Sequence, residues 1–184
     1  MKKVLILCGP PGAGKSTIAA YLQQTYGFSR VITHTTRKPR NGEKNGCDYY
    51  FESPTAFFKL QLLEYVSYDN HWYGSSVEAL RQAWAKSNLA VIVLDTQGAA
   101  AYLQKLPQRV YCWYIFSSLP ALNARLKQRD RGGIDHLQSR EGQRDLQLPK
   151  ELKSNCRVLQ NDDWAKTVKQ MRHLLLQRGL LSDN

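Results

Sequence analysis

Gly9-Pro10-Pro11-Gly12-Ala13-Gly14-Lys15-Ser16, followed by Thr17, has the spacing of a phosphate-binding loop: a glycine, four residues, then Gly-Lys-Ser. Its flanks agree. Val4-Leu5-Ile6-Leu7 is apolar throughout, as expected of a strand buried on both faces. After the loop, Ile18, Tyr21 and Leu22 recur at helical spacing, and Gly27 stops the run. Each part of strand, loop and helix has a physical task. Glycines let the backbone close on a phosphate because no side chain blocks the approach. The N–H groups of the loop and of the helix N-terminus then face the anion. Lys15 brings a positive charge to the β- and γ-phosphates, and the Ser16 hydroxyl is a ligand for Mg²⁺.

Beyond the loop, strand and helix patterns alternate. Residues 29–37 read as a β-branched strand, 38–46 as a charged turn and 48–51 as a second strand. Ser53-Pro54 opens a short helix through Phe57 and Phe58 that ends near Leu63. Residues 64–68 and 71–73 form a hairpin around Asp69-Asn70. Ser75-Ser76-Val77-Glu78 reads as a capping box for a helix running to about Lys86. Residues 90–94 are a fully apolar strand ending in Asp95, where a phosphate-loop protein keeps its metal-side carboxylate. A helix over 96–105, a strand over 110–116 and a helix over 120–129 follow. Residues 130–149 are polar and weakly periodic, and read as a mobile excursion. After a short strand over 157–159, Asn161-Asp162-Asp163 caps a last helix with Trp164, Val168, Met171 and Leu175 on its buried face. The alternation predicts an α/β fold, a parallel sheet covered by helices on both faces.

The 184 residues, 42% hydrophobic and 22% charged, suit one soluble domain with a substantial core. No apolar run approaches the roughly 18 residues of a membrane span. The run after Met1-Lys2-Lys3 is too short for a signal peptide, so cytoplasmic residence is expected. The four cysteines, Cys8, Cys47, Cys112 and Cys156, lack Cys-x-x-Cys spacing and read as structural thiols rather than ligands or disulfides. A net charge of +11 admits nucleic acid, acidic lipid or small polyanions as partners. The basic residues gather around 30–44 and 125–157, and two clusters suit two phosphate ligands.

The stretch Thr33-His34-Thr35-Thr36-Arg37-Lys38-Pro39-Arg40-Asn41-Gly42-Glu43-Lys44-Asn45-Gly46-Cys47-Asp48-Tyr49 closely resembles guanylate kinases. Their pattern there is Thr-Thr-Arg-x-Pro-Arg-x-Gly-Glu and then Gly-x-Asp-Tyr. Glu64, Tyr73-Gly74-Ser75, Gln97-Gly98 and Asn161-Asp162-Asp163 follow in the family's order, and Arg129 and Arg140 have the spacing of its two lid arginines. The resemblance covers nearly the whole chain. It implies a P-loop NTPase-type sheet with an inserted mixed α+β nucleoside-monophosphate-binding subdomain and a short lid. As a single domain over 1–184, the core is then 1–32, 79–129 and 150–184, the GMP-binding insert 33–78 and the lid 130–149. The implied reaction moves the γ-phosphoryl of ATP to GMP with Mg²⁺, giving GDP and ADP, in purine nucleotide metabolism. The implied partners are these small nucleotides, without nucleic acid or membrane, for a monomer or homodimer.

The resemblance also implies residue roles. Gly9, Pro10, Pro11, Gly12, Ala13, Gly14, Lys15, Ser16 and Thr17, with Arg129, Asn161 and Asp162, surround ATP. Thr33, Arg37, Arg40, Tyr49, Glu64, Tyr73, Ser75 and Asp95 surround GMP. Lys15, Arg37, Arg129 and Arg140 act at the transferring phosphoryl. The residue chemistry agrees. Arg37 and Arg40, three apart on a turn, can both point at one phosphate, and guanidinium suits phosphate oxygens. A carboxylate at Glu64 suits the adjacent N1–H and 2-amino donors of guanine. Ser75 serves equally as an N-cap, and Asn161 and Asp162 equally as helix caps.

Two departures from the family stand out. Its Asp-x-Asp-x-Gln-Gly is here Val93-Leu94-Asp95-Thr96-Gln97-Gly98. Aligned without gaps from Tyr73, Asp95 takes the guanine-side position and Val93 replaces the metal-side aspartate. With a two-residue gap, Asp95 is the metal-side ligand and the guanine-side carboxylate is missing. Phe51 to Glu64 is also shorter than in typical members, by about one helical turn. Two other readings stay open: an ATP-dependent kinase with a different acceptor, another nucleotide or a phosphorylated sugar, and a catalytically weak guanylate-kinase-like binding module. Glu64 and the Thr-Thr-Arg-x-Pro-Arg segment argue against the first, and intact Lys15, Ser16 and Thr17 against the second.

Overall fold

Alternation along β1 (Lys3–Cys8) organises the molecule: Val4, Ile6 and Cys8 enter one apolar cluster, and Leu5 and Leu7 the other. The structure, a computed structural model, describes residues 1–129, 135 and 137–181, apart from the Arg129 side chain. β1 is the centre of a five-stranded parallel sheet with order β2-β7-β1-β8-β9. The other strands are β2 (Ser29–Arg30), β7 (Leu89–Val93), β8 (Val110–Phe116) and β9 (Cys156–Gln160). On one face lie α1 (Lys15–Tyr26), α5 (Leu119–Arg129) and the last helix, α7 (Trp164–Gln177), contributing Ile18, Leu22, Leu122, Leu126, Met171 and Leu175. On the other lie α3 (Val77–Lys86) and α4 (Thr96–Lys105), with Leu80, Trp84 and Tyr102. This is the expected α/β arrangement. Among the described residues no helix is long and apolar enough to cross a membrane.

A second, four-stranded mixed sheet has the order β4-β3-β6-β5. Its strands are β3 (His34–Thr35), β4 (Tyr50–Phe51), β5 (Leu62–Tyr68) and β6 (His71–Ser76). β5 and β6 form the expected hairpin, whose turn residues Asp69 and Asn70 take positive φ angles of 51° and 59°. Three local expectations are corrected. Residues 29–37 are not one strand: Val31 N–H still bonds the Val91 carbonyl in the first sheet, and the chain then crosses to the second as β3. The helix opened by Ser53 is only α2 (Pro54–Phe57) and does not reach Leu63, because pairing with β6 claims Leu62 onward. Ser76 rather than Ser75 caps α3, accepting from Ala79 N–H, while Ser75 stays buried in β6.

Of the expected excursion over 130–149, residues 130–134 and 136 lie outside the described residues. The remainder is anchored rather than extended away from the core. Leu137 is buried in one apolar cluster, and Leu148 packs on the other. Between them runs α6 (Arg140–Asp145), capped by Ser139, and a short 3₁₀ turn (Lys150–Leu152) follows. The cysteine reading is also corrected. Parallel pairing sets Cys112 opposite Cys156 with Cα atoms 4.5 Å apart, and a disulfide joins them. Only the strand register could reveal this pair, 44 residues apart in sequence. Cys8 remains a thiol, its Sγ 3.7 Å from that of Cys112, and burial pushes its pKa up to about 12.

Candidate active site

The phosphate loop joins the C-terminal end of β1 to α1 and leaves little room for side chains. Gly9 has φ +129°, and a Cβ there would collide with the Ile115 carbonyl oxygen. Gly14, at φ +91°, is the N-cap of α1, and a Cβ there would collide with Asn161 Nδ2. The first turn of α1 has no acidic residue and its N-cap no side-chain bond, so its positive end is available to an anion. Lys15 Nζ reaches across the loop to the carbonyls of Gly9 (2.6 Å) and Pro10 (2.8 Å). Ser16 and Thr17 are exposed.

Two residues brace the loop from behind. Asn161 is buried; its Nδ2 donates to the Ala13 carbonyl at 2.8 Å, and its Oδ1 accepts from Thr167 Oγ1. Helix capping falls to Asp163, which accepts from Lys166 N–H. Asp162 instead accepts from the backbone N–H and hydroxyl of Ser118. The second brace, Arg125 on α5, was not singled out in the sequence. Its guanidinium donates to the Gly12 carbonyl (3.3 Å), Ser117 Oγ (3.1 Å) and the Asn161 carbonyl (2.6 Å). The available signal was its place one helical turn before Arg129. The Arg129 side chain lies outside the described residues, and Arg140 is exposed on the first turn of α6.

In the resembling segment, Arg37 is held by Glu43 in a two-pronged pair, both N–O distances 2.9 Å, and lies over the rings of Tyr49 and Phe51. Glu43 also accepts from Arg40 N–H at 2.7 Å, so one carboxylate fixes the whole turn. The pairing holds the Glu43 carboxyl below its usual range and raises Arg37 above its own. Tyr49 meets Tyr73 edge to face, the Arg40 side chain is exposed, and the Thr33 carbonyl accepts from Tyr50 N–H.

A third group forms where β5, β6 and the start of α4 meet. Glu64 is buried, and its Oε1 has no hydrogen-bond partner. Burial pushes its pKa up to about 7; Ser75 beside it pulls down, and nearby Asp95 pushes further up. Ser75 Oγ accepts from Tyr102 at 2.9 Å. Gly98 separates the two carboxylates: a Cβ on it would lie 3.1 Å from Glu64 Oε2 and 3.2 Å from Asp95 Oδ1. Asp95 caps α4 through Gly98 N–H (2.6 Å), and its Oδ2 accepts from Arg144 Nη2 (2.8 Å). Arg144 Nε donates to Asp145 Oδ1 (3.3 Å), which also accepts from Thr96 Oγ1 (2.6 Å). Burial raises the Asp145 carboxyl, and its carbonyl accepts from Tyr114. Arg144 and Asp145 escaped sequence reading because their segment had no clear period. Val93, two residues before Asp95, sits opposite Leu7 in β1 and packs against the apolar cluster that contains α1.

The family model for guanylate kinase matches residues 1–178. The chain is 32% identical over 183 residues to the guanylate kinase of Wolbachia pipientis wMel, covering 96% of this chain and 90% of that protein. It is 33% identical over 168 residues to the guanylate kinase of Lactobacillus delbrueckii subsp. bulgaricus, covering 88% and 78%. Among solved structures, the guanylate kinase from Anaplasma phagocytophilum shares the fold with a TM-score of 0.66 at 21% identity, over 98% of this chain and 88% of that one. A match spanning almost every residue, with an intact phosphate loop inside it, means that the chain belongs to the guanylate kinase family.

Proposed function

We propose that this chain transfers the γ-phosphoryl of ATP to GMP, giving GDP and ADP. The observation that carries this is Glu64, a buried carboxylate with one bare oxygen, on the same molecule as an intact phosphate loop. A buried acceptor without a partner is costly unless a ligand completes it. The N1–H and 2-amino groups of guanine are adjacent donors that do so. Ser75 and Asp95 flank this base site. Arg37, oriented by Glu43, and Arg40, with Tyr49 and Tyr73, hold the acceptor phosphate. The loop and the α1 N-terminus hold the ATP phosphates, and Lys15 exchanges its loop carbonyls for β- and γ-oxygens. Asn161 and Arg125 keep the loop in shape, with Asp162 near the adenine. Arg129, at the end of α5, and Arg140, on the lid, are assigned to the phosphoryl group by the family spacing.

Mg²⁺ fits this site through Ser16, whose hydroxyl is exposed at the start of α1. Asp95, bonded by Gly98 N–H and Arg144, keeps a free lone pair on each oxygen and is the second candidate ligand, while Val93 offers no ligand atom. Mg²⁺ bound there neutralises charge on the β- and γ-phosphates. Residues 33–78 form the acceptor insert and 130–149 the lid of one cytoplasmic domain. The deciding experiment is a coupled ADP-release assay with GMP, dGMP, AMP, UMP and CMP as acceptors, for wild type and Lys15→Ala. GMP-dependent turnover abolished by Lys15→Ala in a folded protein is expected. Absence of turnover with every acceptor would leave a binding module.

A further inference from the structure

Three sulfurs meet in the core sheet, and the disulfide uses only two of them. β1, β8 and β9 lie side by side, and Cys8, Cys112 and Cys156 all enter the apolar cluster that contains α3 and α4. Their Sγ atoms lie within 4.8 Å of one another. Strand register separates their roles. Cys112 faces Cys156 directly, so a disulfide reaches between them. Cys8 is two residues out of step: Ile6 lies opposite Cys112, and Cys8 lies opposite Tyr114. Its Sγ nevertheless comes to 3.7 Å from that of Cys112. Sulfurs that share one ion through bonds of about 2.3 Å stand about 3.8–4.0 Å apart. The third sulfur is therefore already at ligand spacing. Among the described residues no histidine or carboxylate joins the three. Exposure rises outward, from 0% at Cys8 through 2% at Cys112 to 6% at Cys156, so the way in is from the edge strand β9.

We propose that Cys8, Cys112 and Cys156 of the reduced chain form a buried three-sulfur site for a thiophilic ion, Cu(I). The site and the disulfide exclude each other, because both need Cys112 and Cys156. A dithiol reductant converts one into the other. Two electrons and two protons pass to the Cys112 and Cys156 sulfurs, and the reductant leaves as its own disulfide. Each sulfur then binds the ion as thiolate and gives up its proton, and the ion stays Cu(I) throughout. The donor set decides the class of metal. Sulfur alone does not suit Mg²⁺ or Ca²⁺, which take oxygen ligands. Zn²⁺ closes a structural site with four ligands, and this buried cluster supplies three. A soft monovalent ion is satisfied by thiolates without a fourth donor. The site differs from that of the nucleotide metal, which has the Ser16 hydroxyl on the exposed start of α1.

Anaerobic titration of the full chain with Cu(I), supplied as its coloured bicinchoninate complex, tests this. Cys47→Ser serves as the background, because Cys47 is an exposed thiol outside the cluster. The protein is reduced with a phosphine and desalted before the titration. The reduced chain should withdraw one equivalent of Cu(I) from the chelator, and the oxidised chain none. Adding Cys8→Ser should weaken uptake at least about tenfold, the loss that even an outer partner of a metal ligand causes. Cys156→Ser should do the same. Cu(I) should also raise the melting temperature of the reduced chain, and raise it less in Cys8→Ser. If Cys8→Ser is unfolded without metal, Cys8→Ala carries the comparison. Equal affinity with and without the Cys8 sulfur overturns the proposal, since Cys112 and Cys156 then suffice. So does uptake by the oxidised chain that matches the reduced one, or no uptake by either. Displacement of Cu(I) by equimolar Zn²⁺ overturns the choice of ion.

Discussion

At the scale of single residues, Glu64 carries a sharp consequence. Its carboxyl titrates near pH 7 when folded, against 4.5 in an ordinary setting. Between these values the folded chain keeps a proton that the unfolded chain has released. Stability from this group is therefore undiminished below pH 4.5, declines as pH rises and levels off above about 7, by on the order of 3 kcal/mol in total. Guanine needs the ionised form, because its N1–H and 2-amino groups both donate. We predict that kcat/KM for GMP falls as pH drops below about 7, and that Glu64→Gln flattens this part of the profile at much lower activity. The titration of the GMP phosphate is common to both proteins, so a profile unaltered by Glu64→Gln would refute the assignment. Arg37 makes a second residue-scale case. Arg37→Ala removes a charge-assisted contact worth about 1.5–3 kcal/mol, so the KM for GMP should rise roughly 10–100-fold with the KM for ATP unchanged. Equal effects on both nucleotides in titration calorimetry would contradict its acceptor-side placement.

Among the elements, the phosphate loop depends on groups distant in sequence. Arg125 from α5 ties the Gly12 carbonyl to the Asn161 carbonyl beyond β9. Arg125→Ala should lower stability by about 1.5–3 kcal/mol and raise the KM for ATP while leaving that for GMP. Arg125→Lys should not rescue it, since one ammonium cannot reproduce the fork that spans the two carbonyls. Melting curves with and without ATP check this, and full rescue by lysine would show that charge alone matters. The loop itself was legible because its spacing is local: glycines, Lys15 and Ser16 adjoin one another. Arg37 and Glu43 were legible for the same reason, although the part Glu43 plays in orienting Arg37 was not. Arg125, Arg144 and Asp145 act through tertiary contacts, and their own segments gave no pattern that separates them from solvated charges. The hairpin strand carrying Glu64 was legible, but its start at Leu62 was not, because pairing with β6 overrode a short apolar helical pattern before it. The positions of Val93, opposite Leu7 in the apolar cluster, and of Asp95, against Gly98 near Glu64, come from strand register and packing that the local sequence does not show.

Across the whole molecule, α4 couples the two sheets. Its N-cap Asp95 and first-turn Gly98 lie beside Glu64 of β5, and at its far end Lys105 bonds the Leu63 carbonyl of β5 at 2.6 Å. The core sheet has its own tie at the opposite edge, the disulfide between β8 and β9. That link spans α5 and α6, so it restricts a long stretch of the unfolded chain. For a closed loop of 44 residues the stabilisation is about 2–4 kcal/mol. Reduction should then lower the melting temperature by roughly 4–16 °C for a protein of this length. Cys112 lies mid-strand and Cys156 at the start of β9, away from the strand ends that carry the phosphate loop, so nucleotide KM values should not change. The double variant Cys112→Ser/Cys156→Ser should melt with the reduced protein and show no further response to reductant. Cys8→Ser controls for the third buried sulfur, whose protonated thiol is a poor nucleophile for exchange. Equal melting temperatures for the oxidised wild type and the double variant would show that the link adds nothing to stability, and a changed KM for ATP would show that it reaches the site through β1.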